Sequence, residues 1–169
     1  MPQCAVIKPL CKKRIQEHLD RGWREIGVRQ TWAGKFCPAP FDLPAPLGPR
    51  DRAWYADQDW GFTGRLWRDP LVSRETAQAE TRRFILECPG HLFFGHQDGF
   101  AIITRAGNLM TVDLVASRDH MAGRILAHAA HALGTQYMQA GTYHDNLAAQ
   151  GLYRKMGLHV VKREVVLHK

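Results

Sequence analysis

The stretch with the clearest chemical potential runs from Val112 to Ala130, VDLVASRDHMAGRILAHAA. An apolar run suited to a central strand precedes small and polar residues, and then a helix whose apolar side chains recur at spacings of four. The first N–H groups of a helix have no partner within it, and the helix dipole adds partial positive charge there. A phosphate is therefore the ligand that we expect this turn to bind.

The turn lacks the motifs of two common phosphate-binding classes. Neither G-x-G-x-x-G nor G-x-x-x-x-G-K-[ST] occurs there, which argues against dehydrogenases and kinases. His128 and His131 are three residues apart, a spacing that superficially resembles a metal site. However, His131 lies opposite the apolar side chains of its own helix and is expected to face solvent, so no metal is predicted.

Composition indicates a globular chain. It has 169 residues, 45% of them hydrophobic and 23% charged, which fits one domain with a real core. No stretch is long and apolar enough for a signal peptide or a membrane span, so we expect a soluble cytoplasmic protein with no membrane partner. The four cysteines show neither C-x-x-C nor zinc spacing and are expected to be free thiols in a reducing compartment.

The formal charge of +7 suggests an anionic partner, either nucleic acid or a phosphorylated small molecule. The basic residues occur in short separate groups rather than on one helix: Lys12–Arg14, Arg82–Arg83, Arg154–Lys155 and Lys162–Arg163. Such groups are typical of a solvated surface, so we do not expect nucleic acid as the partner.

The N-terminal part is predicted to be a strand, a helix and a strand. Cys4 to Ile7 suits a short strand, Gly22 is placed to end the helix that follows, and Trp23 to Trp32 suits a second strand. This unit, residues 1–34, is too small to bury both faces of a sheet and is interpreted as a stub. Residues 35–50 hold five of the nine prolines and are predicted to form a linker.

The third part, residues 51–169, is predicted to contain alternating helices and strands. Ser73 is a plausible N-cap for a helix that stops before Pro89, and Asp98–Gly99 is a strong hairpin signal. Residues 51–59 suit a helix or an irregular segment. The remaining predicted elements are strands at 91–96, 100–104, 112–116, 136–142 and 158–167, and a helix at 146–156. The fold class is α/β (α+β), with a mixed, largely antiparallel sheet flanked by helices.

Two motifs resemble the GNAT superfamily of N-acetyltransferases. Arg118 to Gly123 is similar to its Arg/Gln-x-x-Gly-x-Gly/Ala signature, with Met121 in place of the first glycine. If that position needs a positive φ, the substitution costs about 1–3 kcal/mol of strain. The second motif matches Asn-x-x-Ala-x-x-x-Tyr-x-x-x-Gly through Asn146, Ala149, Tyr153 and Gly157. The resemblance covers about residues 47–169, with both motifs in the family's order.

The resemblance implies a GNAT fold and transfer of an acyl group from acetyl-CoA, or another short acyl-CoA, to an amine. Two shorter elements are similar to the TDP-fucosamine acetyltransferase group: Arg65–Pro70, which precedes a helix, and Leu19–Trp23. That likeness implies an amino-sugar nucleotide as acceptor. Acyl-CoA and an amino-sugar nucleotide both carry phosphates, which would fit the basic charge of the protein.

The resemblance also assigns roles to residues. Tyr153 matches the acid that protonates the leaving thiolate, which requires a lowered phenol pKa or a concerted step. The general base is left open between Asp113, His144 and a water chain. The residues implied in cofactor binding are Leu114, Val115, Ala116, Arg118, Met121, Ala122, Gly123, Arg124, Ile125, Asn146 and Ala149. For Asn146, an N-cap role is an equal alternative.

Two other functions stay open at this point. The acceptor is an amino acid, a peptide or a polyamine in one of them. In the other, the chain is a non-catalytic module that binds acyl-CoA as a sensor or binds nucleic acid through its charge, and the missing glycine at Met121 favours this class. The N-terminal stub is expected either to pack on the domain or to make a homodimer contact.

Overall fold

A computed structural model describes residues 3–8, 11–37, 51–62 and 64–169. The strands are β1 (Cys4–Ile7), β2 (Arg24–Lys35), β3 (Leu92–His96), β4 (Gly99–Ala106), β5 (Leu109–Ser117), β6 (Tyr137–Tyr143) and β7 (His159–His168). The helices are α1 (Lys12–Leu19), α2 (Arg52–Ala56), α3 (Arg65–Arg68), α4 (Arg74–Glu87), α5 (Ala122–Leu133) and α6 (Leu147–Lys155). None of the helices in these ranges has the length and apolar character needed to cross a bilayer.

The strands form one sheet of seven in the order β1-β7-β2-β6-β5-β4-β3. The β5–β6 pair is parallel, and the other neighbours are antiparallel. The predicted fold class, a mixed and largely antiparallel sheet flanked by helices, is therefore confirmed.

The N-terminal strands belong to this same sheet. β2 lies between β6 and β7, and pairs with β6 from Arg29 opposite Tyr143 to Lys35 opposite Tyr137. The prediction that a linker begins at residue 35 is wrong for its first three residues: Lys35 ends β2, and the amides of Phe36 and Cys37 donate to backbone carbonyls of other elements. Residues 38–50, the rest of the predicted linker, lie outside the described residues. The three-part domain division stays a prediction.

Helices cover both faces of the sheet. In β4, Phe100 and Ile102 pack with α2 and α4, while Ala101 and Ile103 pack with α5 and α6 on the opposite face. All four side chains are fully buried. The alternation follows from the two-residue period of a strand, and it places separate apolar cores above and below the sheet.

Local signals set several element ends as predicted. The Ser73 hydroxyl accepts a hydrogen bond from the Thr76 N–H at 3.2 Å and caps α4. The β3–β4 turn passes through Asp98 to Gly99. A Cβ atom added to Gly99 would lie 2.5 Å from the Ala116 carbonyl oxygen. Only glycine fits at that close approach, so the hairpin is tied to the position of β5.

A buried ionic cluster links the segment between α3 and α4 to β2 and β7. The Asp69 carboxylate, with no exposed side-chain surface, accepts hydrogen bonds from Arg24 at 3.0 Å, His168 at 2.8 Å and the Leu71 N–H at 3.0 Å. Burial alone would raise the pKa of Asp69, but these three donors outweigh it and hold the pKa below the ordinary value of 3.8. The cluster fixes the segment between α3 and α4 against β2 and β7.

We expect Asp69→Asn to lower the free energy of unfolding by about 2–4 kcal/mol, because it leaves Arg24 without its buried counter-charge. The folded pKa of Asp69 lies below the unfolded value of about 3.9. This stabilisation is therefore complete above the unfolded value and is lost as the pH falls through the folded pKa. Urea denaturation between pH 2 and 7 measures it, and the gap between wild type and variant should close at the acid end.

Asp57→Asn is the matched control, since Asp57 pairs with Arg82 at 2.8 Å on the exposed surface. Its cost should stay below about 1 kcal/mol. Equal costs for the two variants, or a gap at Asp69 that does not vary with pH, would contradict the assignment.

Candidate functional site

The site begins at a bulge in β5. Ile102 of β4 pairs with Leu114 and the next residue, Ile103, pairs with Val112, so Asp113 is an extra residue without a partner on β4. Bulges bend the strand that carries them. Pairing of β5 with β6 accordingly ends at Val112 opposite Ala140. Beyond it the two strands separate and leave a gap between residues 113–117 and 141–143, which we call the wedge.

The wedge exposes strand backbone that has no sheet partner. Residues 114–116 pair with β4 on one side, but within the described residues they pair with no strand on the side of β6. Buried peptide groups require hydrogen-bond partners, and an extended ligand supplies them as an added strand would. Leu114, Val115 and Ala116 therefore lie where cofactor binding was predicted for them, and the binding itself stays a prediction.

Two cavities meet at the wedge. The turn cavity, about 580 Å³, runs from the turn before α5 to α6. The strand cavity, about 410 Å³, lies along the facing edges of β5 and β6. The residues that line both are Phe62, Val115, Asn146, Ala149 and Tyr153. Because these walls are shared, the two cavities adjoin, and we call them together the cleft.

The turn before α5 is held by its own backbone and by one hydroxyl. The Arg118 N–H donates to the Asp98 carbonyl at 2.7 Å, and the Ala122 N–H donates to the Ser117 hydroxyl at 2.9 Å. Asp119 and His120 have φ angles of 49° and 59°, in the left-handed region. Non-glycine residues there cost on the order of 1–3 kcal/mol, and such strain concentrates at ligand-binding turns.

The expected strain at Met121 is absent. Met121 has φ −70° and ψ −16°, ordinary right-handed values, so the missing glycine carries no conformational cost. The Met121 N–H donates to the Arg118 carbonyl at 3.1 Å, so it is not a free donor for a ligand. Ile125 likewise donates to Met121 and is buried in the core. It supports the helix rather than facing a ligand.

The free donors at the helix start are those of Gly123 and Arg124, whose N–H groups have no hydrogen-bond partner among the described residues. Exposed cations surround them. Arg124 lies on the solvent side of α5, Lys155 lines the turn cavity, and the guanidinium of Arg118 lies 4.9 Å from the Trp60 ring. The turn therefore combines free amides, the positive helix end and several cations, as an anion site requires.

Tyr153 lies where the two cavities meet. Its side chain is 3% exposed, its ring is 6.1 Å from that of Trp32, and its hydroxyl has no hydrogen-bond partner within the described part of the chain. Burial raises the pKa of Tyr153 to about 12. The phenol therefore stays protonated throughout the physiological range and can act as a hydrogen-bond donor there. The structure does not lower its pKa.

Asn146 is the N-cap of α6. Its side-chain oxygen accepts a hydrogen bond from the Ala149 N–H at 3.1 Å, which confirms the structural alternative stated for it. Both residues also line the two cavities, so their predicted contact with a cofactor remains geometrically open.

The structure separates the two candidate bases. Asp113 lines the strand cavity together with Tyr153, and its side chain is 25% exposed. His144 is exposed and lies outside the residues that line either cavity; its N–H donates to the Val28 carbonyl, and its carbonyl accepts from the Gln150 side chain. Only Asp113 is brought to the cleft.

The two histidines of α5 also lie apart from the cleft. His128 is half-buried with its ring against Phe94, and His131 is exposed, as predicted from the helix periodicity. Across residues 3–8, 11–37, 51–62 and 64–169, no group of three or more potential metal ligands occurs.

Several lining residues were not identified from the sequence. Trp60 and Phe62 close the turn cavity from the segment before α3, and Thr31, Thr111 and Gln139 line the strand cavity. Arg68 of α3 makes two 2.7 Å hydrogen bonds to Asp145, which ties that segment to the start of α6. Polar side chains within strands, such as these threonines and this glutamine, are the sequence signal that could have indicated a polar cavity wall. That the three side chains line one cavity depends on the order of the strands in the sheet, which the sequence does not show.

Solved structures share this fold. A GCN5-related N-acetyltransferase from Sphaerobacter thermophilus matches with a TM-score of 0.54 and 16% identity, over 99% of this chain and 60% of that one. A tandem GNAT protein from the clavulanic acid biosynthesis pathway matches with a TM-score of 0.56 and 12% identity, over 99% and 63%. A GCN5-related N-acetyltransferase from Kribbella flavida matches with a TM-score of 0.53 and 15% identity, over 98% and 67%.

The fold is that of the GCN5-related N-acetyltransferases. This chain spans about 60% of the length of the first two GNAT proteins. No protein-family model matches the sequence, and no curated protein matches it. At these identities the likeness concerns the GNAT fold, and the chemistry has to be argued from the cleft itself.

We expect Gly123→Glu to weaken CoA binding about tenfold, because a negative charge at the start of α5 opposes a phosphate by about 1–2 kcal/mol. Isothermal titration with CoA measures it. Since Gly123 is buried, His120→Glu provides a second variant, with the charge placed at an exposed position that lines the turn cavity.

Ala132→Glu is the control, since Ala132 is exposed near the other end of the same helix. Its CoA affinity should stay within about twofold of wild type, because the dipole effect falls off beyond the first turn. Normal affinity in both Gly123→Glu and His120→Glu, with folding intact by circular dichroism, would place the phosphates elsewhere.

Proposed function

We propose that this chain is an acyl-CoA-dependent N-acyltransferase that transfers an acetyl or other short acyl group to an amine by direct attack on the thioester. One observation carries the proposal. The anion-binding turn and the buried phenol of Tyr153 line the same cavity, at the point where two parallel strands separate.

The cleft fits acyl-CoA in three places. The free amides of Gly123 and Arg124 lie at the start of α5, next to His120 and Ala122 on the wall of the turn cavity, and are the donors that we assign to a diphosphate. The unpaired edge of residues 114–116 accepts the amide-containing pantetheine arm, and Tyr153 lies at the junction where the arm ends. The bound acyl thioester supplies an electrophilic carbonyl carbon and a thiolate leaving group.

The protein's own groups then act on the reacting atoms. A backbone N–H in residues 114–116 donates to the thioester carbonyl oxygen and stabilises the charge that develops there. Asp113 accepts the proton that the amine loses as its nitrogen bonds to the carbonyl carbon. The thiolate leaves as the carbon–sulfur bond breaks.

Tyr153 stabilises the departing sulfur. With a pKa of about 12, its phenol is a weaker acid than an ordinary thiol, whose pKa is about 8.5, so complete proton transfer to the thiolate is uphill. A hydrogen bond to the sulfur as charge develops, in concert with bond cleavage, avoids that cost. This corresponds to the concerted alternative considered for the phenol.

The acceptor that we propose is an amino-sugar nucleotide. The neutral polar side chains of Thr31, Thr111 and Gln139 line the strand cavity and suit sugar hydroxyls. The half-exposed Arg29 on the same wall pairs with Glu164 at 3.3 Å, and its remaining N–H donors suit a phosphate. The sequence likeness of Arg65–Pro70 and Leu19–Trp23 to the TDP-fucosamine acetyltransferase group supports the same acceptor.

Two alternatives are tested alongside. The first keeps the enzyme and replaces the acceptor by an amino acid, peptide or other small amine, for which the carboxylate of Asp113 in the cleft is the supporting feature. The second is a non-catalytic acyl-CoA sensor. Its main support was the missing glycine at position 121, and the ordinary backbone of Met121 removes that support.

We also propose a cytoplasmic location, where acyl-CoA is formed and thiols stay reduced. The four cysteines are all unpaired, which suits such a compartment.

Thiol release from acetyl-CoA should be fastest with a nucleotide-linked amino sugar in a panel that also contains free amino sugars, amino acids, peptides and polyamines. The reason is that Arg29 and the polar wall of the strand cavity recognise groups that the smaller amines lack. A higher kcat/KM with an amino acid, a peptide or another small amine would show that the acceptor is that amine and not an amino-sugar nucleotide. Binding of CoA without turnover on any amine would favour the sensor.

Tyr153→Phe should lower kcat about 100-fold, the lower range for a positioned proton donor, while the Kd for CoA stays within about twofold. Because the pKa of Tyr153 is about 12, wild type and variant should show the same pH profile between pH 6 and 10. Stopped-flow or steady-state thiol release measures kcat, and calorimetry measures Kd.

Tyr137→Phe is its control, since Tyr137 is 48% exposed on β6 and should keep full activity. If Tyr153→Phe also keeps full turnover, the phenol has no role in the reaction.

A further inference from the structure

A third cavity opens on the outer side of Asp113. It has a volume of about 590 Å³ and lies between α3, α4 and the sheet, with Leu66, Phe84 and Leu114 among its walls. We call it the α4 cavity. Asp113 and Gly64 line both this cavity and the strand cavity, so the bulged residue of β5 stands at the boundary between them.

His91, which has no role in the reaction described above, lies next to Asp113 on the wall of the α4 cavity. Its Nε2 atom lies 3.7 Å from Asp113 Oδ2, and its side chain is 22% exposed. Its Nδ1 atom lies 2.9 Å from the Pro89 carbonyl oxygen, and its ring packs edge-on against Phe84 at 5.7 Å. The imidazole is therefore held from two sides with Nε2 directed at the carboxylate.

The Pro89 contact decides which nitrogen carries the proton. A carbonyl oxygen only accepts hydrogen bonds, so His91 Nδ1 donates, and the neutral ring leaves a lone pair on Nε2. That lone pair faces a carboxylate oxygen, which also has only lone pairs when ionised. The two groups attract each other only with a proton on Nε2 or on Asp113. The pair is thus built to take up one proton.

We propose that His91 is the proton-relay partner of Asp113, and that the α4 cavity is the path by which the acceptor's proton leaves the cleft. This inference rests on the proposed N-acyltransferase function. It assigns to His91 a positioning and relay role that acts through Asp113 rather than by contact with the acceptor.

The proton count closes in three steps. Asp113, as carboxylate, takes one proton from the attacking amine as the nitrogen–carbon bond forms. When a side-chain rotation closes the 3.7 Å gap to hydrogen-bond distance, the proton passes to the free Nε2 of His91, which regenerates the carboxylate and gives an imidazolium with both nitrogens protonated. The imidazolium releases the Nε2 proton to water in the α4 cavity and returns to the Nδ1–H form, ready for the next turnover.

The charges around the α4 cavity balance. Glu80 and Arg83 of α4 form an ion pair at 2.7 Å, while Glu87 of α4 and Arg65 of α3 add one charge of each sign. From α2, Arg52 donates to the His91 carbonyl at 3.4 Å. With the carboxylate of Asp113 counted, three anionic and three cationic side chains lie around the cavity and His91, so their formal charges cancel.

His91→Asn is the sharpest variant. The asparagine amide can still donate to the Pro89 carbonyl, but it has no basic atom for the proton. We expect kcat/KM at pH 7 to fall about tenfold, the acid limb of the wild-type pH profile to flatten, and the Kd for CoA to stay unchanged. In the Asp113→Asn background the same substitution should cost less than twofold, because coupled residues are non-additive.

Free imidazole supplies a second readout. His91→Ala should recover several-fold in activity with millimolar imidazole, whereas Asp113→Asn should not. His131→Asn is the control for the chemical change, since His131 is exposed on α5, and its pH profile should match wild type. Full activity in His91→Asn, or equal loss with and without Asp113, would overturn the relay while leaving the N-acyltransferase proposal intact.

Histidine-selective ¹⁵N NMR tests the pair without turnover. We expect neutral His91 to be the Nδ1–H tautomer in wild type, and the Nε2–H tautomer would overturn the relay. Absence of thiol release by the wild type with every amine would overturn the N-acyltransferase proposal and the relay with it, so the two failures are distinguishable.

Discussion

The extra residue at Asp113 is the constraint on which the cleft depends. Without the bulge, β5 would continue to pair with β6 beyond Val112, and the backbone groups of residues 114–116 would be hydrogen-bonded to β6. The bulge ends that pairing and turns the following residues to the opposite faces, so that Leu114 packs on the α4 side while Val112 packs on the α5 side. One inserted residue thus creates the wedge, frees its strand edge and places a carboxylate between two cavities.

Strands β1, β7 and β2 support the side of the cleft that is formed by β6 and the start of α6. β2 pairs with β6 beside the wedge, and the buried Asp69 cluster fixes the segment after α3 against β2 and β7. The paired hydrogen bonds of Arg68 to Asp145 then join α3 to the start of α6, with the guanidinium 4.3 Å from the Tyr143 ring. The N-terminal strands therefore support the same cleft that the turn and Tyr153 define.

Local patterns made several parts of the fold predictable. The helix starting near Ala122, the cap at Ser73, the hairpin at Gly99 and the N-cap at Asn146 all follow from neighbouring residues, because caps and turns are satisfied within a few positions. The behaviour of Met121 was not predictable. Its backbone is right-handed, and the left-handed values occur at Asp119 and His120 instead, which a motif based on glycine positions does not reveal.

The sequence by itself determined most of the elements of this protein, and it predicted an anion site at the turn with Tyr153 and Asp113 among the candidate catalytic residues. Only the tertiary structure decided that Asp113 reaches the cleft and His144 does not, that burial keeps the Tyr153 phenol protonated, and that His91 faces Asp113. The physical reason is range. Periodicity and capping act between residues close in the chain, whereas strand register, desolvation and the meeting of β3 with β5 across β4 depend on partners that are far apart in sequence.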